Sequence, residues 1–299
     1  MTIRLYHEPP RRTAALCAAC VLLLATGAVT AAGQAGPDRQ RSARIAELTW
    51  VQAEQYLDTG TVVVIPLGAE AKEHGPHLTL GNDQLLATYY AGRVFAATPV
   101  AMYPTITYHF YPAFVEYPGS TTLRLETARD LVIDIVRSIA RHGPRRFYIL
   151  NTGVSTVRAL APARDSLAAS GIVMRFTNGG PRTRAAEERL RQQPGGTHAD
   201  EFETSMMLYM YPDRVDMSKA ARDYHPGQSP LARDSAVAVR EGRTWSRTGI
   251  FGDATLATRD KGRIVVEAHV EDILEDIAAL RRVPIPPQPP QPPAPPPGR

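Results

Sequence analysis

TVVVIPLGAEAKEHGPHLTLGND, residues 61–83, is the stretch from which the fold is read. Its first six residues, TVVVIP, are a continuous run dominated by β-branched residues, with no charged or strongly polar position. A strand wetted on one face alternates apolar and polar residues, so an unbroken run implies a strand covered on both faces, as in the middle of a parallel sheet. A polar loop follows at once. Residues 71–83 carry Lys72, Glu73, His74, His77 and Asp83, punctuated by Gly75, Pro76 and Gly81. Asn82 or Asp83, both good N-cap residues, then opens a helix whose apolar positions are Leu85, Leu86, Tyr89, Tyr90, Val94 and Phe95. The order is strand, titratable loop, helix. In open parallel sheets ligands lie beyond the carboxyl ends of the strands, which is where this loop starts.

Working outward, the alternation continues. MYPTITYHF (102–110) reads as a strand, and Leu123 with Leu125 as a short one. Residues 127–141 form the clearest helix. Thr127 and Asp130 resemble a capping box, Leu131, Ile135 and Ile139 make an apolar stripe, and Gly143-Pro144 ends it. FYIL (147–150) is the next buried strand, followed by the turn NTGVST (151–156). A helix near 163–169 stops at Gly171, and IVMRF (172–176) is a strand again. A last helix, about 266–282, sets Val270, Ile273, Leu274 and Ile277 on one face. There is no internal repeat. The pattern predicts an α/β fold with a mostly parallel sheet and helices on both faces. The 67–83 loop and the 151–156 turn both leave carboxyl ends and can converge.

The two ends read differently. Arg4, Arg11 and Arg12 precede an apolar run from Thr13 to about Val29, and small residues follow. This is the order of a secretory signal occupying residues 1–35, with an uncleaved anchor as the alternative. The run is short for a membrane span, which needs roughly 20 residues. The expected location is therefore periplasmic or secreted, with no stable span after cleavage. PIPPQPPQPPAPPPGR (284–299) is extended polyproline that cannot join a core: a spacer, a groove ligand or a disordered tail. Residues 36–283 suit one domain.

Composition narrows the chemistry. The 299 residues include two cysteines, Cys17 and Cys20, both within the signal. The mature chain then has no thiol, and any metal is held by histidine and carboxylates. The formal charge of +4 is spread without a basic stripe, which argues against nucleic acid. His74 and Asp83, at a strand-end loop and the start of the next helix, can coordinate a divalent cation. A second polar cluster, GGTHADEFETSMMLYMYP (195–212), places His198, Asp200, Glu201 and Glu203 before an apolar segment. Acids in a first helical turn suit the helix dipole, which accounts for Asp200 and Glu201 without function.

IPLGAEAKEHGPHLTLGND resembles the signature of the creatininase (creatinine amidohydrolase) family, in which a strand and a glycine-containing turn run into EQHGPHLPL and then an Asp. His74-Gly75-Pro76-His77-Leu78 and Asp83 match at the family's spacing. THADEFETSMML resembles the family's HAGE-x-ETS element, with His198, Ala199, Glu201, Glu203, Thr204 and Ser205 in order. TGIFGDATLATRDKGR (248–263) resembles a third stretch, G-x-x-G-x-P-x-x-A-x-x-x-x-G, with Ala254 in the proline's place. The resemblance runs from about residue 45 to 280. It implies a three-layer αβα fold, often a homo-oligomer, and metal-dependent hydrolysis of C–N bonds. Family members act on creatinine, on a formamide in flavin-type cofactor synthesis, and on a precursor peptide, so the implied substrate is a small molecule or short peptide. By matching position, His74 and Asp83 would bind metal, Asp83 bridging two ions. Glu203 would bind metal or move protons, and His198 would act as acid or base. The cofactor is expected to be one or two divalent ions, Zn, Mn or Fe.

The departures matter as much. Where the family has a Glu two residues before the His of HGPH, this chain has Lys72, and the loop is one residue longer. An added residue can reverse a side chain's direction in extended chain, so Glu73, or else Glu70, is expected to replace the missing carboxylate. A surface pair between Lys72 and Glu70 or Glu73 is the structural alternative. After FYIL the family continues Asn-Gly-His; here the His position is Gly153 and no acid follows. That leaves either a single metal held by His74, Asp83 and a Glu, or a second metal bound weakly. Lys72 is then a catalytic candidate, its charge standing in for an ion at the oxyanion. His77 is expected to hydrogen-bond backbone and shape the turn. Tyr108, His109 and Tyr111 sit at a strand end and read as packing. Three functions compete: an exported metal-dependent amidohydrolase, a ligand-binding protein on the same fold, and an envelope scaffold recruiting partners through its tail.

Overall fold

The run at 61–66 becomes β2 (Val62–Leu67), all six residues buried, at the centre of a five-stranded sheet. The computed structural model describes residues 42–224 and 247–286. The sheet order is β1-β3-β2-β4-β5, with β1 at Ala43–Arg44, β3 at Ala101–Met102, β4 at Arg146–Asn151 and β5 at Val173–Phe176. Every pairing is parallel, and β2 and β4 run in register from Val62↔Arg146 to Leu67↔Asn151. A separate antiparallel pair joins β6 (Arg222–Asp223) to β7 (Gly252–Asp253).

The sheet side chains divide by parity, as a period of two requires. Val62, Val64, Tyr148 and Leu150 pack into one core with Leu86, Tyr90 and Val94 of α2 (Asn82–Ala97). Met207 of α6 (Glu201–Met210) and Val266, Ile273 and Ile277 of α7 (Arg259–Arg282) complete it. Val63, Ile65, Leu67, Phe147 and Ile149 face the other way, onto Val132 and Val136 of α3 (Leu125–Ala140) and Leu160 and Leu167 of α4 (Val157–Ala168). This is the expected three-layer arrangement. Each fully buried aliphatic side chain contributes roughly 1.5–3 kcal/mol, so the unbroken apolar run anchors both cores at once. α1 (Trp50–Glu54) and α5 (Pro181–Leu190) complete the described helices. Among the described residues no helix is long and apolar enough to cross a membrane.

Several local expectations are corrected. The strand predicted at 102–110 pairs only through Ala101–Met102 and an isolated bridge from Leu67 to Ile106. Pro104 offers no N–H there, so the ladder breaks. Leu123 and Leu125 form no strand: Leu125 starts α3, and Arg124 precedes it without a side-chain cap, so the Thr127–Asp130 box does not form. Val132, Ile133, Val136 and Ile139 are buried, while Leu131 and Ile135 are half-buried. α4 begins six residues before Ala163 and carries Pro162 inside it. α5 had no counterpart in the sequence reading, and α7 starts at Arg259, behind an N-cap at Thr258. α2 is preceded by Gly81, so Asn82 and Asp83 are helical rather than capping, and their side chains serve the site instead. The predicted signal at 1–35 and the tail beyond residue 286 lie outside the described residues.

Candidate metal centre and its pocket

The loop after β2 turns inward. Lys72 N–H donates to Leu80 O at 3.1 Å, Glu73 N–H to Ser120 Oγ at 2.9 Å, and Thr121 N–H to Ala71 O at 2.9 Å. Gly75 sits at φ +71°, a left-handed conformation open to glycine, and lets the chain reverse at HGPH. The result buries Lys72, Glu73, His74, His77 and Asp83 together. The alternative, a surface pair of Lys72 with Glu70 or Glu73, is not what forms: Lys72 is 6 % exposed and its Nζ lies 2.7 Å from Asp83 Oδ2. Glu70 stays exposed.

α6 brings the second half. Asp200 caps it by accepting from Phe202 and Glu203 N–H groups. Ala199, just before, holds φ +49°, a strained value for a residue with a side chain, and its N–H donates to Glu203 Oε2 at 2.6 Å. That bond fixes the Glu203 carboxylate toward the loop, where Oε1 accepts from Asn82 Nδ2 at 3.1 Å and lies 3.4 Å from His74 Nε2. His77 Nε2 meets Thr204 Oγ1 at 2.7 Å, so its ring ties the loop to α6 through a side chain, where a bond to backbone within the turn was expected.

The histidine tautomers follow from their partners. His74 Nδ1 lies 2.8 Å from Lys72 O, and a carbonyl only accepts, so Nδ1 carries the proton. In the neutral ring, the Nε2 lone pair then faces Asp83 Oδ1 at 3.0 Å and Glu203 Oε1 at 3.4 Å, a repulsive arrangement unless a cation lies among them. His198 Nε2 contacts Glu73 Oε2 at 3.0 Å, and its Nδ1 lies 3.7 Å from Glu203 Oε2. Each imidazole thus has one nitrogen supported by an oxygen and the other aimed at carboxylate, the arrangement that orients histidine ligands on a metal.

His74, His198 and Glu203 each offer a donor atom, and these atoms all lie within 4.8 Å of one another. Donors about 2.1 Å from a tetrahedral ion are roughly 3.4 Å apart, so the set fits one small divalent cation. Charge agrees: the Glu73, Asp83 and Glu203 carboxylates face the Lys72 ammonium alone. The remaining negative charge is balanced by one divalent ion or by protons on both imidazoles. Burial pushes the Asp83 carboxyl up, but Lys72 and His74 outweigh it and hold the group well below the usual carboxylate range. Glu73 is likewise pushed up by burial and brought below its ordinary value by His198 and the Gly75 N–H. Burial lowers the His77 imidazole to about 4, so it stays neutral.

A pocket of about 410 Å³ opens onto this cluster. Lys72, Asp83, His198 and Glu203 are among its polar lining residues; Leu86, Phe114, Phe202 and Met206 supply apolar wall. Phe114, which no sequence pattern marked, packs against His198 with ring centroids 4.2 Å apart and planes tilted by 35°. The Lys72 ammonium lies 5.0 Å from the Phe114 ring centroid and 5.6 Å from that of Tyr111. Tyr108 is half-exposed, and His109 is buried with Nε2–H donating to Ala128 O at 3.1 Å, outside the cluster.

The 151–156 turn approaches the pocket and offers no ligand. Thr152 Oγ1 donates to backbone carbonyls of Leu67 and Asp83, Ser155 Oγ to Phe110 O, and Asn151 and Thr156 bond to each other. At Gly153 a Cβ would meet Tyr111 Cε1 and Thr156 Cγ2, each at 3.1 Å. The Tyr111 ring and Thr156 would be in tight contact with any side chain at 153.

Comparison with known proteins agrees with the motifs. The family model for creatinine amidohydrolase (creatininase) matches residues 46–277. The creatinine amidohydrolase of Pseudomonas putida is 29% identical over 261 residues, covering 79% of this chain and 96% of that protein. The mycofactocin precursor peptide peptidase of Mycobacterium tuberculosis (strain CDC 1551 / Oshkosh) is 31% identical over 248 residues, covering 78% and 91%. A solved mutant creatininase of "Zn-Zn type" superposes with a TM-score of 0.63 at 27% identity, covering 81% of this chain and all of that one.

Proposed function

The chain belongs to the creatininase family, and from that premise we propose that it is an exported, metal-dependent hydrolase of an amide, cyclic amide or related C–N bond. The observation that carries this reading is the His74–His198–Glu203 donor set, with both imidazoles backed by oxygen acceptors, at the end of a pocket sized for a small molecule or a short peptide end.

In this reading His74 Nε2, His198 Nδ1 and Glu203 hold the ion. Lys72 O and Glu73 fix the two rings. A divalent ion there supplies Lewis acidity and a water acidified to near neutral pH. Glu203, at 14 % side-chain exposure the most open of the three carboxylates, takes the proton from the attacking water and returns it to the leaving nitrogen. Lys72, paired to Asp83, directs its charge at the oxygen that becomes negative in the tetrahedral state. Phe114, Phe202 and Met206 exclude water around the reacting carbonyl. His198, expected from the sequence to be an acid or base, is here a ligand, because Glu73 supports its far nitrogen as a metal-bound imidazole requires.

A second reading, a ligand-binding protein without catalysis, is favoured by one feature: the 151–156 turn contributes nothing to the cluster. The experiment separating them incubates the metal-replete protein with creatinine, other lactams, simple amides and short peptides, with His74→Ala alongside. Hydrolysis lost in His74→Ala supports the enzyme. Bound metal without turnover of any substrate supports the binder. Export is tested by the N-terminus of protein recovered from the producing cells: a mature end near residues 31–35 agrees, and an intact leader in the cytoplasm does not.

A further inference from the structure

Within the metal-hydrolase reading, on which this inference rests, we propose that the site takes a single divalent ion per chain and that the Lys72 ammonium permanently fills the position of a second. A carboxylate bridging two cations gives one oxygen to each. Asp83 divides its oxygens in the same way: Oδ2 lies 2.7 Å from the Lys72 ammonium, and Oδ1 lies 3.0 Å from His74 Nε2, on the side of the proposed ion. One of its two cations is already part of the chain.

The surroundings of Lys72 suit an ammonium and not a metal. Its Nζ faces the Tyr111 and Phe114 rings, whose negative faces attract a cation but coordinate no small divalent ion. On the turn side, the polar side chains of residues 151, 152, 155 and 156 are engaged with backbone carbonyls or with each other. Position 153 has no side chain, and the Tyr111 ring stands against it. Asp83 is thus the only carboxylate in contact with Lys72 among the described ion pairs. An ion at that position would have one protein ligand and would have to expel a buried ammonium.

The charge balance points the same way. Lys72 neutralises one of the three carboxylates, and one divalent ion neutralises the other two. Two divalent ions in addition to Lys72 would leave the buried cluster strongly positive, which is costly at low exposure.

Metal stoichiometry decides it, independent of any substrate. The full-length protein is saturated with Mn²⁺, freed of excess by gel filtration and measured for metal per chain, with electron paramagnetic resonance on the same sample. The expected result is one ion per chain and the six-line signal of an isolated Mn²⁺. Lys72→Glu, checked for folding by thermal melting, is expected to rise to two ions per chain with an exchange-coupled signal. Two ions in the wild-type protein overturn the proposal but leave the hydrolase reading standing. No ion in the wild-type protein overturns both. One ion in a folded Lys72→Glu overturns the role given to Lys72.

Discussion

Six consecutive residues, His198 to Glu203, feed two buried polar clusters of opposite character. Glu201, fully buried, accepts from Gln192 N–H at 3.1 Å and Gln193 N–H at 2.9 Å, and pairs with Lys261 Nζ at 2.5 Å. Asp200 accepts from two helix N–H groups and from Gln193 Nε2 at 2.7 Å. In this cluster the acids are matched by donors. Two residues along, Glu203 joins Asp83 and Glu73 around two imidazoles and one ammonium, three carboxylates with a single fixed positive charge among them. Composition alone does not separate the clusters. Satisfaction does: a matched buried charge holds the fold, and a mismatched one awaits a ligand.

The comparison can be broken most severely at Glu201. Glu201→Ala strips three donors and leaves the Lys261 ammonium largely buried, so urea unfolding should show a loss of about 3–5 kcal/mol. A loss under about 1 kcal/mol would show that the matched cluster does not support the fold. His77→Ala tests the seam between the clusters. It removes the bond to Thr204 and a buried ring, and about 2 kcal/mol of stability should go with it; an unchanged urea midpoint counts against the structural role. The smallest stability effect belongs to Glu203→Gln, which keeps the bond from Ala199 N–H and removes a charge from an already negative cluster. The metal-free protein should change by less than about 1 kcal/mol, while affinity for Zn²⁺, measured by calorimetry, falls at least ~100-fold. A large stability loss in the metal-free variant would place Glu203 with the matched cluster.

The sheet, its parallel sense and the position of the site were legible because each rests on local pattern. Val62 to Leu67 is apolar throughout, and the loop after it could only leave a carboxyl end. The failures were where tertiary contacts outweigh local preference. Asn82 and Asp83 are capping types used for the pocket, leaving Gly81 to precede α2. Lys72 was marked as a cation beside the site, but its partner was not legible: Asp83 lies beyond a turn whose path the sequence does not specify. The pairing of Glu73 with His198 joins positions 125 apart, which no motif spacing records. Phe114 carried no signal, since an aromatic in a short 3₁₀ turn resembles any packing residue.

That separation between Glu73 and His198 has a thermodynamic side. His74 and His198 belong to segments that meet only when the sheet and α6 are in place, so the unfolded chain cannot present both to one ion without closing a long loop. Ion binding is therefore linked to folding. Once the site is saturated, each tenfold rise in free ion adds about 1.4 kcal/mol to the folded state. On the proposed metal-dependent reading, the ion acts as a reversible cross-link between the two halves of the chain, and the melting temperature becomes a gauge of metal supply.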